Sequence, residues 1–281
     1  MQVKKLFLFV LLASVLLSLA GCAKKDASLP DLSSLGKITA VAREEGSGTK
    51  DAYKLLVQTS EKGANKVAAS TQQVVDTVAA DKNAIGYVAF SSLESAANVK
   101  ALALNGVDPD PVSIASAKYP LVRSYLLAYT GTLSELETEF LIYIYGAGQK
   151  LVADYCTPVR KPTSFLSTKP EGTIKISGSS SVAPLMKKLA EDYCKYNTKA
   201  MVTVETTDST AGINAALRGD CDLAMSSRPL KSYEAELLET RVIAADGIAV
   251  IVNKANPLAT LSMQQLKSLY DGDVATWPDL K

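Results

Sequence analysis

Two stretches of this sequence, far apart in the chain, share one arrangement: a short strand, a turn of glycine and hydroxyl residues, and the start of a helix. The first is Arg43–Thr49 (REEGSGT), which the helical run 50–56 follows. Its two glycines let the backbone approach a ligand closely, its serine and threonine supply hydroxyl donors, and Arg43 supplies a planar fork of charged donors. Because unpaired N–H groups at a helix N-terminus attract negative charge, this stretch predicts half of an oxyanion site.

The second stretch, 178–185 (GSSSVAPL), lies between the alternating run 173–176 and an amphipathic helical pattern over 186–193. Each stretch also has a plain alternative, since serine is a preferred helix cap and arginine often forms a surface ion pair. Two such turns in one chain favour the interpretation that they face each other across a single anion.

Composition excludes several classes of function. With 47% hydrophobic but only 6% aromatic residues, the chain suits alternating strands and helices. Its 30 basic and 29 acidic residues provide no charge excess for binding nucleic acid. It contains no histidine, the usual general base and zinc ligand, and we predict neither a metal nor a cofactor. A phosphatase is disfavoured further, because the glycine-rich turn lacks the spacing of a nucleotide P-loop and no Gly-x-Ser-x-Gly elbow occurs.

The first 22 residues are typical of a targeting signal. Two lysines precede the apolar run 6–20, and Leu19–Cys22 (LAGC) resembles the cleavage box of bacterial lipoproteins. We expect cleavage before Cys22 and lipidation of its thiol, with 23–37 as a flexible tether; an uncleaved membrane anchor is the alternative. An exported compartment also allows one disulfide, whose pairing stays open, among Cys156, Cys194 and Cys221.

The remaining patterns alternate between strands and helices. Strands are predicted at 38–42, 84–90, 99–104, 173–176, 201–204, 222–228 and 245–252. Helices are predicted at 50–59, 67–80, 135–145, 148–155, 186–193, 213–217 and 263–271. The long apolar runs 120–129 and 245–252 are candidates for strands that cross between two lobes, and 157–172, with its prolines, is the clearest linker.

Five segments together resemble the phosphate-binding protein of the phosphate-specific ABC transporter. They are 43–49, 84–87, 176–182, 225–228 and 246–253. The resemblance covers nearly all of residues 38–281 and implies an α/β, two-lobed periplasmic-binding-protein-like fold of type II. In the family the serine-rich turn opens the mature protein and the arginine-containing turn lies in its middle. The order here is reversed, which implies a circularly permuted fold.

The permuted order implies a particular division into lobes. One ligand-binding lobe would combine 38–120 with 251–281, and the other would be continuous over 125–249. The segment 157–172 would join the old ends of the family, and the new ends would fall at a surface loop that tolerates a break.

The resemblance also implies which residues contact the ligand. They are Arg43, Ser47, Gly48, Thr49, Ser180, Ser181 and Ser209, with Gly48 and Ser181 acting through their backbone N–H groups. Ser227 occupies a ligand position at which the family often has a carboxylate. Monohydrogen phosphate needs an acceptor for its proton and sulfate does not, so selectivity requires a nearby acceptor. Asp246 is the first candidate and Asp208 the second; for Asp246, a solvated role at the start of its strand is the alternative.

The function that the resemblance implies is capture of inorganic phosphate in an interlobe cleft by an exported, lipid-anchored binding protein of an ABC importer. Its partners would be permease subunits, with the membrane reached through the lipid alone and no nucleic acid bound. Two alternatives stay open: a receptor for another oxyanion such as sulfate, and a phosphate sensor whose lobes are completed by domain swapping with a second copy.

Overall fold

Strands and helices alternate along the described part of the chain, which in this computed structural model comprises residues 30–94 and 96–281. The strands are β1 (Thr39–Arg43), β2 (Lys66–Ala68), β3 (Ala84–Ala89), β4 (Val99–Ala101), β5 (Ala103–Leu104), β6 (Val122–Tyr129), β7 (Thr157–Pro158), β8 (Gly172–Ser179), β9 (Ala200–Thr207), β10 (Leu223–Ser226), β11 (Glu239–Asn253) and β12 (Thr260–Leu261). The α-helices are α1 (Gly48–Val57), α2 (Thr71–Ala80), α3 (Pro111–Ala115), α4 (Glu135–Tyr145), α5 (Gly148–Tyr155), α6 (Ala183–Tyr196), α7 (Ser209–Arg218), α8 (Ser232–Ala235) and α9 (Met263–Asp271).

Most strands belong to one sheet, in the order β2-β1-β3-β11-β6-β10-β8-β9, with β4 and β7 also paired to β11. The 15-residue β11 has a different antiparallel partner at each end: Glu239–Gly247 pairs with β6, and Ile248–Val252 pairs with β3. On one side of β11, β1 is parallel to β2 and β3; on the other, β8 is parallel to β9 and β10. We define the first lobe as β1–β5 and β12, together with the helices packed on these strands. The second lobe is β8–β10 with its helices.

Each lobe has its own hydrophobic core. The buried side chains in the first lobe include Val41, Val74, Val78, Val88 and Ile251. Those in the second lobe include Phe140, Tyr143, Ile176, Leu189 and Met225. Strands covered by helices on both faces are apolar throughout, which explains the continuous apolar run at the end of β11. The predicted α/β, two-lobed architecture is confirmed.

Four helices follow the carboxyl ends of parallel strands and therefore begin at the same edge of the sheet. They are α1 after β1, α2 after β2, α6 after β8 and α7 after β9. Side chains cap three of them: Ser47 accepts from the Lys50 N–H, Ser70 from Gln73 and Asp208 from Ala211. In open α/β sheets, ligands bind beyond the carboxyl ends of the strands, and these helix starts gather there.

Several element boundaries differ from the prediction. The predicted helix 67–80 is a strand, β2, followed by α2, because Val67 pairs with Ala42 of β1 and Ser70 then caps a new helix. The predicted strand 99–104 is divided into β4 and β5, and α3 and α8 were not predicted. The linker 157–172 is tied to α4, since Glu139 accepts hydrogen bonds from Ser167 and Thr168.

The predicted signal peptide 1–22, with its lipid-bearing Cys22, lies outside the described residues, as does the first part of the tether, 23–29. The end of that tether packs against the first lobe: Leu32 and Leu35 are buried, and the Gly36 N–H donates to Asn83 Oδ1 over 2.8 Å. In the described segments 30–94 and 96–281, we find no helix with the length and apolar character to cross a membrane. The three cysteines among these residues, at 156, 194 and 221, are free thiols, so none of them forms the disulfide that export allowed.

Candidate functional site

Arg43, the last residue of β1, is 1% exposed and connects the two lobes. Its Nε and Nη2 atoms donate to the two Glu44 carboxylate oxygens, each over 2.7 Å. Its Nη1 donates to Thr71 Oγ1 over 3.0 Å, and Nη2 also donates to Ser180 Oγ over 3.1 Å. The guanidinium is therefore held by a carboxylate of its own lobe while it reaches the serine-rich turn of the other.

The glycine turn that begins α1 lies directly against the second lobe. Gly46 has a φ of +89°, which favours glycine, and its carbonyl accepts from the Thr210 N–H over 3.2 Å. A Cβ atom at Gly48 would lie 2.1 Å from Ser209 Oγ and 2.7 Å from Ser227 Oγ. Only glycine fits at position 48 in this closed arrangement.

Hydroxyl groups from both lobes form a buried cluster around this turn. Thr49 Oγ1 lies 2.8 Å from Ser181 Oγ, across the interface between the lobes. Ser179 Oγ donates to Ser227 Oγ over 2.9 Å, and the Ser227 N–H donates to Ser209 Oγ over 3.1 Å. We call this set the hydroxyl cluster; its members are Thr49, Thr71, Ser179, Ser180, Ser181, Ser209 and Ser227.

The structure brings most of the predicted ligand residues together. Arg43 contacts Ser180, Thr49 contacts Ser181, and Thr71 lies between these two pairs. Ser209 contacts Ser227, and Gly48 lies against both. The Ser181 N–H donates to Ser179 Oγ over 3.3 Å, and Ser179 donates to Ser227, which joins the two groups. Ser47 caps α1 through its hydroxyl, 3.4 Å from the Lys50 nitrogen. Buried hydroxyls are stable only when hydrogen-bonded, and a set that combines them with a guanidinium and helix N-termini suits a tetrahedral oxyanion.

Three residues at this site were not predicted from the sequence: Thr71, Ser179 and Arg123. Thr71 is the first residue of α2, and its Oγ1 lies 3.4 Å from both Ser180 Oγ and Ser181 Oγ. Ser179 adjoins the predicted serines. Arg123 had the clearest available signal, since a charged residue within the apolar run 120–129 needs a buried partner.

Arg123 lies on β6 and is 6% exposed. Its Nη1 atom donates to Thr49 Oγ1 over 2.8 Å and lies 3.4 Å from the Ser227 carbonyl oxygen. Its Nη2 atom lies 3.4 Å from Asp246 Oδ2, and the guanidinium carbon lies 5.3 Å from the centre of the Tyr125 ring. Arg123 thus lies between Asp246 and the hydroxyl cluster.

Asp246, the predicted proton acceptor, is fully buried, and donors face both of its oxygens. Oδ1 accepts from the Ser91 N–H over 3.0 Å, and Oδ2 accepts from the Tyr125 hydroxyl over 2.7 Å as well as from Arg123. Burial raises the pKa of the Asp246 carboxyl above its ordinary value, and Arg123, Tyr125 and Ser91 oppose that rise. The structure therefore places Asp246 behind Arg123 and rules out a solvated position at the strand start.

Asp208, the second predicted acceptor, caps α7 and lies against Gly46, since a Cβ at that glycine would be 2.6 Å from Asp208 Oδ1. Arg228 forms a close ion pair with Glu234, with Nη–Oε distances of 2.7 and 2.9 Å. Among residues 30–94 and 96–281, no cluster of acidic or cysteine side chains has the arrangement of a metal site.

Comparison with known proteins was made at both sequence and structure level. Residues 163–281 match the model of a PBP superfamily domain. The chain is 32% identical to Phosphate-binding protein PstS 2 of Streptococcus pneumoniae over 294 aligned positions, which cover all of both chains. It is 35% identical to Phosphate-binding protein PstS 2 of Streptococcus agalactiae, over 93% of this chain and 92% of the relative.

A crystal structure of the phosphate-binding protein of a phosphate ABC transporter from Streptococcus pneumoniae matches with a TM-score of 0.70 and 33% identity, over 88% of this chain and all of that chain. This match agrees with the predicted periplasmic-binding-protein fold. The end-to-end alignment with the S. pneumoniae relative also shows that the two chains share one order of segments. Circular permutation relative to members with the other order stays a prediction.

Proposed function

Since the chain belongs to the PstS family of phosphate-binding proteins of ABC transporters, we propose that it captures inorganic phosphate between its lobes and delivers it to a membrane permease. The role is binding, and no bond of the ligand is made or broken. We propose in addition that the protein acts outside the cytoplasmic membrane, tethered through a lipid on Cys22.

The observation that carries this proposal is the convergence of Arg43, the N-terminus of α1 and hydroxyl groups from both lobes on one buried site. Thr49 and Ser181 are 132 positions apart in the chain, yet their hydroxyl oxygens are 2.8 Å apart. Each of these groups can donate to an anion, and a phosphate oxygen accepts from several donors at once. Desolvated donors of this kind bind an anion strongly because water no longer competes for them.

We propose that the ligand is held by the predicted set together with Thr71. Arg43, Ser47, Thr49 and the Gly48 N–H would contact phosphate from the first lobe; Ser180, the Ser181 N–H, Ser209 and Ser227 would do so from the second. Thr71, on α2, would add a further hydroxyl from the first lobe, and each lobe alone provides only part of these donors. Phosphate therefore binds the closed form better than the open form and shifts the population toward closure, which a permease can recognise.

The acceptor for the phosphate proton is a separate question, because the family resemblance puts Ser227 at a position where a carboxylate is often found. Of the two predicted candidates, Asp208 adjoins Gly46 at the turn between the lobes, whereas Arg123 separates Asp246 from the hydroxyl cluster. We therefore rank Asp208 ahead of Asp246 as acceptor. A serine hydroxyl can also accept a hydrogen bond from the ligand's O–H group, but because it can donate one as well, it excludes sulfate less strictly than a carboxylate does. Serine at position 227 therefore favours a second candidate function, a receptor that binds other oxyanions as well as phosphate.

We also propose where the two ligand-binding lobes begin and end. The first lobe would contain 38–120 and 251–281, and the second 125–249, with β6 and β11 as the two connecting strands. Bending of these strands would open the cleft, and the segment 157–172 would lie away from it.

The test is calorimetric titration of the phosphate-stripped chain from Ala23 onward, which includes the whole compact unit 31–281. We expect about one phosphate per chain and no heat with sulfate. Binding of both anions would support the broader receptor instead. A folded monomer that binds neither would overturn the proposal, and binding that appears only in a dimer would indicate lobes completed by domain swapping. Release of phosphate from an ester substrate would indicate a phosphatase.

A further inference from the structure

We propose that Arg123 is a second guanidinium that contacts the bound anion, and that Asp246 and Tyr125 position it for that contact. This inference rests on the proposed function. It adds to the family-derived set a ligand residue on β6, one of the two strands that connect the lobes.

Arg123 lies close to the hydroxyls that join the two lobes. Arg123 Nη1 lies 2.8 Å from the hydroxyl oxygen of Thr49, which itself lies 2.8 Å from Ser181 Oγ. Arg123 therefore hydrogen-bonds a hydroxyl at the interface between the lobes, and an anion that engages Thr49 is within its reach. Because the guanidinium is buried, its charge acts on such an anion with little screening.

Arg123 is paired only weakly with Asp246. Two other buried arginines form close two-point pairs with carboxylates: Arg43 with Glu44 at 2.7 and 2.7 Å, and Arg228 with Glu234 at 2.7 and 2.9 Å. Arg123 has a single contact of 3.4 Å with Asp246. Its Nε atom is buried and has no hydrogen-bond partner among the described residues. The Nε of Arg228 is likewise without a hydrogen-bond partner, so the difference lies in the carboxylate pairing. Arg43 and Arg228 each donate twice to one carboxylate, whereas Arg123 makes one long contact with its carboxylate and keeps donor capacity for a further acceptor.

The residues around Arg123 orient its guanidinium. The Tyr125 hydroxyl and the Ser91 N–H hold the Asp246 carboxylate, so this carboxylate is a fixed anchor on the side of Arg123 away from the cluster. The face of the Tyr125 ring lies near the guanidinium and restricts its rotation. Anchored in this way, Nη1 can reach the anion with little loss of side-chain entropy.

The test is phosphate titration of Arg123→Gln, Arg123→Lys and the control Arg241→Gln, each checked for folding by circular dichroism. Arg241 also lies on a connecting strand and beside a tyrosine ring, but outside the hydroxyl cluster. We expect R123Q to weaken phosphate binding by about tenfold or more, R123K to recover part of the loss, and R241Q to match the wild type. If R123Q is unfolded because it leaves Asp246 unpaired, the neutral pair R123Q/D246N replaces it.

The positioning role of Asp246 is tested by a double-mutant cycle on phosphate affinity. If Asp246 acts through Arg123, D246N weakens binding in the wild-type background but has little effect when residue 123 is glutamine. Independent, additive losses would overturn the positioning role. A folded R123Q that binds phosphate within about twofold of the wild type would overturn the ligand role. If the wild type itself binds no phosphate, the proposed function fails, which is a distinguishable outcome.

Discussion

The Nε atom of Arg228, just after β10 in the second lobe, lies 3.1 Å from Oδ2 of Asp51 on α1 in the first lobe. The contact is an ion pair without hydrogen-bond geometry, since that Nε has no hydrogen-bond partner. Glu234 holds the other end of the guanidinium in a two-point pair. Arg228 is thus fixed to the second lobe and touches the first only when the lobes are together.

We predict that Asp51→Asn weakens phosphate binding by about 1.4- to fivefold, because the ion pair stabilises the closed form alone and such partly exposed pairs contribute about 0.2–1 kcal/mol. Titration at low and high salt measures this, and the difference should shrink as salt screens the pair. Asp76→Asn, on the exposed side of α2, is the control. Equal affinities for D51N and wild type at low salt would show that this ion pair does not contribute to closure.

Replacement of Gly48 by alanine should abolish phosphate binding while leaving the fold intact. The new Cβ would lie 2.1 Å from Ser209 Oγ, so the lobes could not reach the closed arrangement. Within each lobe alone, alanine at the first position of a helix is acceptable. Calorimetry combined with thermal unfolding checks this, with Gly36→Ala as control, since its nearest heavy atom would be 4.0 Å away. Phosphate affinity in G48A equal to that of the wild type would contradict the observed approach of the lobes.

The hydroxyl pair across the lobes gives a second affinity prediction. Thr49→Val and Ser181→Ala each remove one hydroxyl while keeping most of the volume, and each leaves buried groups without a partner. We expect phosphate binding to weaken about tenfold in each, because an unsatisfied buried donor or acceptor costs about 1–3 kcal/mol. Ser116→Ala, at an exposed helix end, should bind as the wild type does. If S181A and T49V bind phosphate with the affinity of the wild type, the ligand binds at another site.

Glu61 gives a prediction about the pH dependence of stability. Its Oε1 accepts from the Tyr87 hydroxyl over 2.6 Å, and that hydroxyl oxygen accepts from the Arg43 N–H over 3.2 Å, so this carboxyl lies behind the Arg43 turn. Burial raises the pKa of Glu61 above its ordinary value, although Tyr87 opposes the rise. Its contribution to the free energy of unfolding is therefore fully present below the ordinary glutamate pKa and is lost as pH rises through the raised value.

Glu61→Gln removes this titration while preserving an acceptor for Tyr87. We expect the free energy of unfolding of E61Q, relative to wild type, to increase between about pH 4 and pH 8, as measured by urea unfolding at several pH values. Glu236→Gln, at an exposed position, should show no such trend. A difference between E61Q and wild type that is constant with pH would mean that the Glu61 pKa is not raised.

Local patterns in the sequence were enough to predict much of the fold. The helices α4, α5 and α9 begin and end where predicted, because caps such as Ser134 and their apolar spacing are determined by neighbouring residues. The two glycine and hydroxyl turns were also recognisable locally, since backbone freedom and hydroxyl donors are properties of those residues themselves. The helix predicted at 67–80 was partly wrong because β2 depends on pairing with β1, which is distant in sequence.

The arrangement of charged residues around those turns depends on the tertiary fold. Sequence patterns and the family resemblance identified Arg43 and most of the hydroxyl donors, though not Thr71 or Ser179, and suggested a carboxylate at Asp246. It could not show that Arg123 lies between Asp246 and Thr49, because that arrangement depends on β6 and β11 pairing while α1 approaches from the other lobe. Caps and turns depend on residues a few positions away, so they could be predicted from the sequence. The hydrogen bonds and burial of Arg123 and Asp246 depend on neighbours that only the folded chain brings together, so they could not.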